Sequence, residues 1–290
     1  MNMRRARTSC LDASRALLQH ISAGRLLIPL LKPIFQGALA PFGEKLQCAA
    51  TAPSDAVRIE DLLQHDTLLA LMHRQAGFRR STGSDLRAVA SAWTLEYLGA
   101  LLPPVVAAAS VLQHVFPMSA SQVWVRLDGD GDPVTFHIRD MGESRAGTGT
   151  AQRYGPLLWL HLQPLFTALG ELTRVAPKIL WGNAARNFES VLDQALALTG
   201  AAAPILRDRE HLLQSPDWPQ DREGRPCTNP LHGRQRVVHR LQEGRHAPLK
   251  LHRQCCLNHL LPGERHCGAC PLAPQYRQGE DQGEIDAPVV

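Results

Sequence analysis

Four of the seven cysteines fall within one short stretch, RQCCLNHLLPGERHCGACPL. Cys255 and Cys256 are adjacent, ten residues separate Cys256 from Cys267, and two more separate Cys267 from Cys270. A Cys-x-x-Cys turn such as Cys267 to Cys270 lets two thiolates converge on one metal. Adjacent cysteines in a regular strand point to opposite faces, so Cys255 and Cys256 reach a common centre only through a bent backbone. Pro262-Gly263 supplies a turn that folds the second pair back toward the first. Four thiolates serve either a structural zinc ion or an iron–sulfur cluster, and ligand softness does not separate the two. Zinc sites usually pair two Cys-x-x-Cys turns. Here the first half departs from that pattern and suits a bulkier group, with a single ion, a disulfide or a redox switch left as alternatives. His259 and His266 could replace a cysteine, but with four thiols at hand they are expected beside the ligands rather than among them.

The remaining cysteines, Cys10, Cys48 and Cys227, are scattered, and an odd total argues against a fully paired disulfide framework. The basic start, MNMRRARTSCLDASRALLQH, lacks the uninterrupted apolar segment and small-residue cleavage site of a secretory signal, so Arg4-Arg5 reads as a solvated end. A cytoplasmic, reducing location is therefore expected, where clustered thiols bind metals or carry redox chemistry. A formal charge of +4 over 290 residues is too small to announce a strongly basic nucleic-acid binder.

The elements that must position the cysteines read as mainly α with a small antiparallel β element, an α+β class, with an irregular C-terminal cysteine-rich segment. A mostly helical body is expected over residues 1–214 and the cysteine segment over 215–290. Helices are expected over 55–72, capped by Ser54, and over 85–102, with Pro103-Pro104 as a break or a new first turn. Two more are expected over 157–175 and 178–198, the latter ending at Gly200. Residues 122–139 alternate in the manner of a hairpin, and 141–149 read as a linker. The hairpin tip, Asp128 to Asp132, opens like an EF-hand loop. However, Pro133 stands where a sixth-position glycine is needed and Arg139 where a twelfth-position glutamate is needed, so a turn is expected and no calcium site. Residues 215–250 show little periodicity. Residues 98–125 and 154–170 contain no Asp, Glu, Lys or Arg. Their internal prolines, glycines and polar residues favour buried helices, so membrane contact is expected to be peripheral at most, at the inner face.

The Cys-Cys-x10-Cys-x2-Cys arrangement, with Leu257 after the pair, Leu261-Pro262-Gly263 between and Pro271-Leu272 after Cys270, resembles the ferric siderophore reductases of FhuF type. The likeness extends thinly upstream through Trp93, Tyr97, Pro103-Pro104, Leu180-Trp181-Gly182-Asn183-Ala184 and Asn229-Pro230. The resemblance implies a cytoplasmic protein with a 2Fe-2S cluster on Cys255, Cys256, Cys267 and Cys270. Such a protein reduces iron(III) in hydroxamate siderophores by one electron and releases iron(II). His259, where an aromatic residue is expected, and the extra Cys227 depart from the pattern without touching the ligand set.

Hydroxamates are hard oxygen donors that hold iron(III) tightly and the less charged iron(II) poorly, so one electron releases the metal. A one-electron cluster matches that task, and Arg253, Arg265, His252 and His266 could stabilise its reduced form or guide an acidic donor. Trp93, Tyr97 and Trp181 are expected in the core. No Gly-rich dinucleotide fingerprint follows a strand, so an external ferredoxin or reductase is the expected electron donor. The competing readings are an iron or redox sensor, and a zinc knuckle whose neighbouring Arg/His-rich segment binds nucleic acid. The second lacks aromatic residues between Trp218 and Tyr276 on which bases could stack, and no nucleic-acid partner is expected.

Overall fold

The computed structural model describes residues 27–83, 85–242 and 245–277, so the basic N-terminal stretch and Cys10 lie outside the described residues. In chain order the elements are strands β1 (Leu46–Cys48) and β2 (Ala56–Arg58), helices α1 (His65–Phe78) and α2 (Arg87–Val111), then strands β3 (Val123–Leu127) and β4 (Pro133–Ile138). Helices α3 (Thr150–Leu157), α4 (Gln163–Thr173), α5 (Pro177–Thr199) and α6 (Ala203–Leu213) follow, and strands β5 (Val237–Gln242) and β6 (Arg245–Lys250) precede the cysteines. The architecture is mainly α with small sheets.

Helix α2 is the spine. Nineteen of its 25 residues are buried, with a sheet on one side and α5 on the other. That packing explains why the helix does not stop at Pro103-Pro104. Each proline removes one i to i−4 bond and costs about 3 kcal/mol in an exposed helix, but a helix apolar on every side gains more by staying continuous in the core. Helix α2 is the one described helix long and apolar enough to cross a membrane, and 72% of its most apolar window is buried within the protein.

The sheet has the order β1-β4-β3-β2. The expected hairpin is present as β3 and β4, with Val125 opposite Phe136 and Val123 opposite Ile138. All four of these side chains are buried, and the Phe136 ring meets the Tyr97 ring of α2 edge-on at 5.0 Å. Strand β1 joins β4 in parallel, so the sheet is not wholly antiparallel. At the hairpin tip Asp128 Oδ1 accepts the N–H groups of Asp130 and Asp132, and Gln75 Nε2 donates to Asp132 Oδ1 at 2.9 Å. Asp128 is thus engaged by the turn's own N–H groups and Asp132 by Gln75 of α1.

Other boundaries moved for local reasons. The helix expected over 55–72 is divided into β2, which pairs Val57 with Val125, a single turn Ile59–Leu62, and α1 after the extended Gln64. Ser54 caps nothing there, because the chain enters as a strand. The helix expected from 157 begins at Thr150, after Gly149 donates its N–H to Gln152 Oε1. It continues through a π-helical turn, Leu158–Leu162, into α4. Helix α5 ends as expected, with Gly200 left-handed at φ +64. The linker over 141–149 contains the two-residue strand Glu143–Ser144, paired with His114–Val115. In the stretch with little periodicity lies the β5–β6 hairpin, with Val237 opposite Lys250.

Candidate metal centre

The β5–β6 hairpin delivers the chain to the cysteines. Leu251, Cys255, Cys270, Ala273 and Tyr276 form a small second core, covered by Val238 of β5 and Leu249 of β6. The two halves of the segment are tied by the His252 N–H, which donates to Ala269 O at 2.9 Å. Tyr276 Oη donates to Gly268 O at 3.0 Å. Between the halves Gly263 turns the chain at φ +78, as the Pro262-Gly263 pair implied.

Directly after the adjacent cysteines the chain turns through Leu257, which is left-handed at φ +61. That conformation is uncommon for a leucine and costs of order 1–3 kcal/mol, so the surroundings must enforce it. Its result is a pair of successive backbone donors aimed at sulfur. The Leu257 N–H donates to Cys255 Sγ at 3.4 Å, and the Asn258 N–H donates to Cys256. Such concave runs of N–H groups stabilise anions, thiolates included.

The four thiols meet in two pairs. Cys270 Sγ lies 3.6 Å from Cys255 Sγ, and Cys256 is hydrogen-bonded to Cys267. All six described cysteines are free thiols; Cys48 lies exposed at the end of β1, and Cys227 is half-buried beside Trp218. Among the described residues, no three His, Cys, Asp or Glu side chains are gathered so as to hold one metal ion. As donors, two close thiol pairs on one short segment fit a centre in which each of two metals would take two thiolates.

The pairs differ electrically. The Cys256 thiol is lowered to about 4 by the hydrogen bond from Cys267, helped by the Asn258 N–H and the Arg186 guanidinium against the opposing effect of burial. Cys267 is raised as the donor in the same bond, and Cys255 is pushed up to about 11, chiefly by burial. His259 Nδ1 lies 3.6 Å from Cys255 Sγ, and its ring stacks on His266 with centroids 4.0 Å apart. The histidines thus flank the thiols. Pro262, Gly263, Glu264 and Arg265 are exposed, and Leu260 is 54% exposed, so the outer rim of the segment faces solvent.

Helices α2 and α5 anchor the segment from beneath. Ser91 Oγ donates to Cys256 O at 2.7 Å, and Asn183 Nδ2 donates to both Ser91 O and Ser91 Oγ, at 3.1 and 3.0 Å. Gly182 allows the approach, because a Cβ there would stand 2.6 Å from Gln254 Cβ. Arg253 faces the protein interior rather than solvent. Its guanidinium is nearly buried, 3.2 Å from Glu189 Oε2, and donates to Leu213 O. The Trp181-Gly182-Asn183 and Asn229-Pro230 signals now have reasons. Trp181 packs against Phe166 and Trp159, while Asn229 Nδ2 donates to the carbonyls of His211, Leu212 and Ser215 at the end of α6. Trp93 and Tyr97 are fully buried, as expected. Ser91 and Arg186 carried no spacing signal; only their place one helical turn or less from Gly182 and Trp93 could have pointed to them.

The chain is thus a mainly helical body with a paired-thiol segment docked on two of its helices. The chain belongs to the ferric iron reductase FhuF-like transporter family, whose model matches residues 91–249 and stops just before Cys255. Among solved structures it is similar to aerobactin synthetase IucA from a hypervirulent pathotype of Klebsiella pneumoniae, at 18% identity and a TM-score of 0.49, over 61% of this chain and 38% of the synthetase. The ATP-bound form of the same synthetase matches at the same identity and TM-score, over 62% of this chain and 37% of the other. The chain thus spans under half of these structures' length. No curated protein matches it.

Proposed function

We propose that this chain is a one-electron reductase of iron(III) held in hydroxamate siderophores, working in the cytoplasm with a 2Fe-2S cluster on Cys255, Cys256, Cys267 and Cys270. The observation that carries the reading is the pairing of the four thiols, Cys255 with Cys270 and Cys256 with Cys267. Membership of a ferric iron reductase family supports it. When bound, such a cluster supplies reversible one-electron transfer.

The chain's own residues would hold and expose the centre. The Leu257 and Asn258 N–H groups and Arg186 favour thiolate over thiol, which metal binding requires. Ser91, Asn183 and Gly182 fix the first pair on the helical body, and the second core of Leu251, Ala273 and Tyr276 keeps water from the inner side. The exposed rim around Leu260 and Arg265 is where an external one-electron donor, and then the ferric chelate, would approach. The balance is one electron from the donor to iron(III), giving iron(II), which the hydroxamate oxygens release and then rebind protons in its place.

The test is anaerobic stopped-flow mixing of the dithionite-reduced protein with a ferric hydroxamate and an iron(II) chelator. Reoxidation of the protein matched one-for-one by chelated iron(II) is expected. A reduced spectrum unchanged over minutes, with the cluster intact, would turn the reading toward a redox or iron sensor.

A further inference from the structure

Arg186 stands on α5, one turn beyond Gly182, on the face that receives the cysteine segment. Its Nη2 donates to Asn183 Oδ1 at 3.1 Å. Asn183 is fully buried, and its amide hydrogens are committed to Ser91, so its oxygen is fixed toward Arg186. The guanidinium so aimed is half-buried and in contact with Cys256. Its Nε is buried and has no partner. Among the described residues no carboxylate pairs with Arg186. The nearest candidate on the same helix, Glu189, is already shared by Arg253, Arg209 and Gln235. A half-buried cation without an anion is costly, and Cys256 and Cys267 are the groups beside it that become thiolates when a metal binds.

We propose that Arg186, held by Asn183, is the positioning residue that sets the electron affinity of a metal–sulfur centre on these cysteines, by placing a fixed positive charge and N–H donors on its Cys256 side. The proposal rests on the cluster reading above. Taking up one electron adds one negative charge to the centre, and a nearby cation with donors to sulfur stabilises the more negative state. Arg253, whose charge Glu189 balances, exerts no comparable pull.

The test compares midpoint potentials, by spin-resonance-monitored titration of the anaerobically purified full chain, for wild type, Arg186→Gln, Arg186→Lys and Arg253→Gln. Arg186→Gln is expected to shift the potential to more negative values, further than Arg253→Gln does, and Arg186→Lys to fall between it and wild type. A glutamine variant that keeps its iron and sulfide and the wild-type potential would overturn the proposal while leaving the cluster reading in place. A wild type without iron and sulfide would overturn both. A second measurement needs no variant to fold. Protein labelled with 15N in arginine alone is expected to show a 15N hyperfine coupling to the reduced centre, and its absence would remove Arg186 from the cluster's surroundings.

Discussion

Ser91 and Cys256 are 165 residues apart in sequence and meet through one buried hydrogen bond, Ser91 Oγ to Cys256 O at 2.7 Å. The bond joins the middle of the helical body to the first cysteine pair. Ser91→Ala would leave a buried carbonyl without its donor and Asn183 without one of its acceptors, at a cost of about 1–3 kcal/mol. The loss should fall on the cysteine segment. Bound metal should pass to a competing chelator several-fold faster than from wild type, while the far-UV circular dichroism of the helices is unchanged.

Gly182→Ala should act at the same junction by another route. A Cβ would press on Gln254 at 2.6 Å, and the obstacle lies at the root of a side chain, where the backbone must move with it. Overpacking of this kind costs about 1–3 kcal/mol. Gly77→Ala is the control. No atom lies within 4 Å of its added Cβ on α1, so it should be neutral or stabilise by about 0.5–1 kcal/mol. Urea denaturation of the three proteins would order them Gly77→Ala, wild type, Gly182→Ala.

The core carries its own pH sensor. His161, on the π-helical turn, is fully buried; its Nδ1–H donates to Met118 O at 3.0 Å, and its Nε2 accepts the Tyr97 hydroxyl at 2.6 Å. Burial lowers its pKa from the ordinary 6.5 to about 4. The unfolded chain therefore takes up a proton between those values that the folded chain refuses. Stability from this group is full above about pH 6.5 and falls as pH drops toward 4, by on the order of 3 kcal/mol. His137, His211 and His252 are lowered by burial as well and add to the same slope. Stability curves at stepped pH should thus steepen below 6.5, and His161→Phe should flatten but not abolish the slope.

What could be read from the sequence was what short range decides. Gly200 ends a helix because glycine takes the left-handed cap without steric cost, and 123–138 alternates because one face of its hairpin is buried. The Pro262-Gly263 turn between the two cysteine pairs was legible in the same way, since Gly263 turns the chain at φ +78. What stayed hidden depends on distant partners. Pro103-Pro104 does not stop α2 because α5 and the sheet bury it, and β2 forms because β3 offers Val57 an edge. Ser91 and Arg186 are ordinary helix residues until the segment around Cys256 lands on them. Arg253, whose position beside the cysteines suggested an approach charge, is held by Glu189 of α5.

Cys227 and Cys48 stand apart from the paired thiols, one half-buried beside Trp218 and the other exposed at the end of β1. Cys227→Ser and Cys48→Ser should retain the wild-type iron and sulfide content after anaerobic purification. Cys256→Ser should lose or alter the cluster's absorption with the helical dichroism intact. A colourless Cys227→Ser protein would mean that the ligand set has been assigned wrongly.

Metal and acid-labile sulfide content of protein prepared without oxygen from iron-replete cells, together with its spin-resonance spectrum before and after dithionite, bears most directly on the pairing of Cys255 with Cys270 and Cys256 with Cys267. Two irons and two sulfides per chain, silent when oxidised and giving one unpaired electron per chain when reduced, is the predicted result. One zinc per chain, with neither iron nor sulfide, would contradict it.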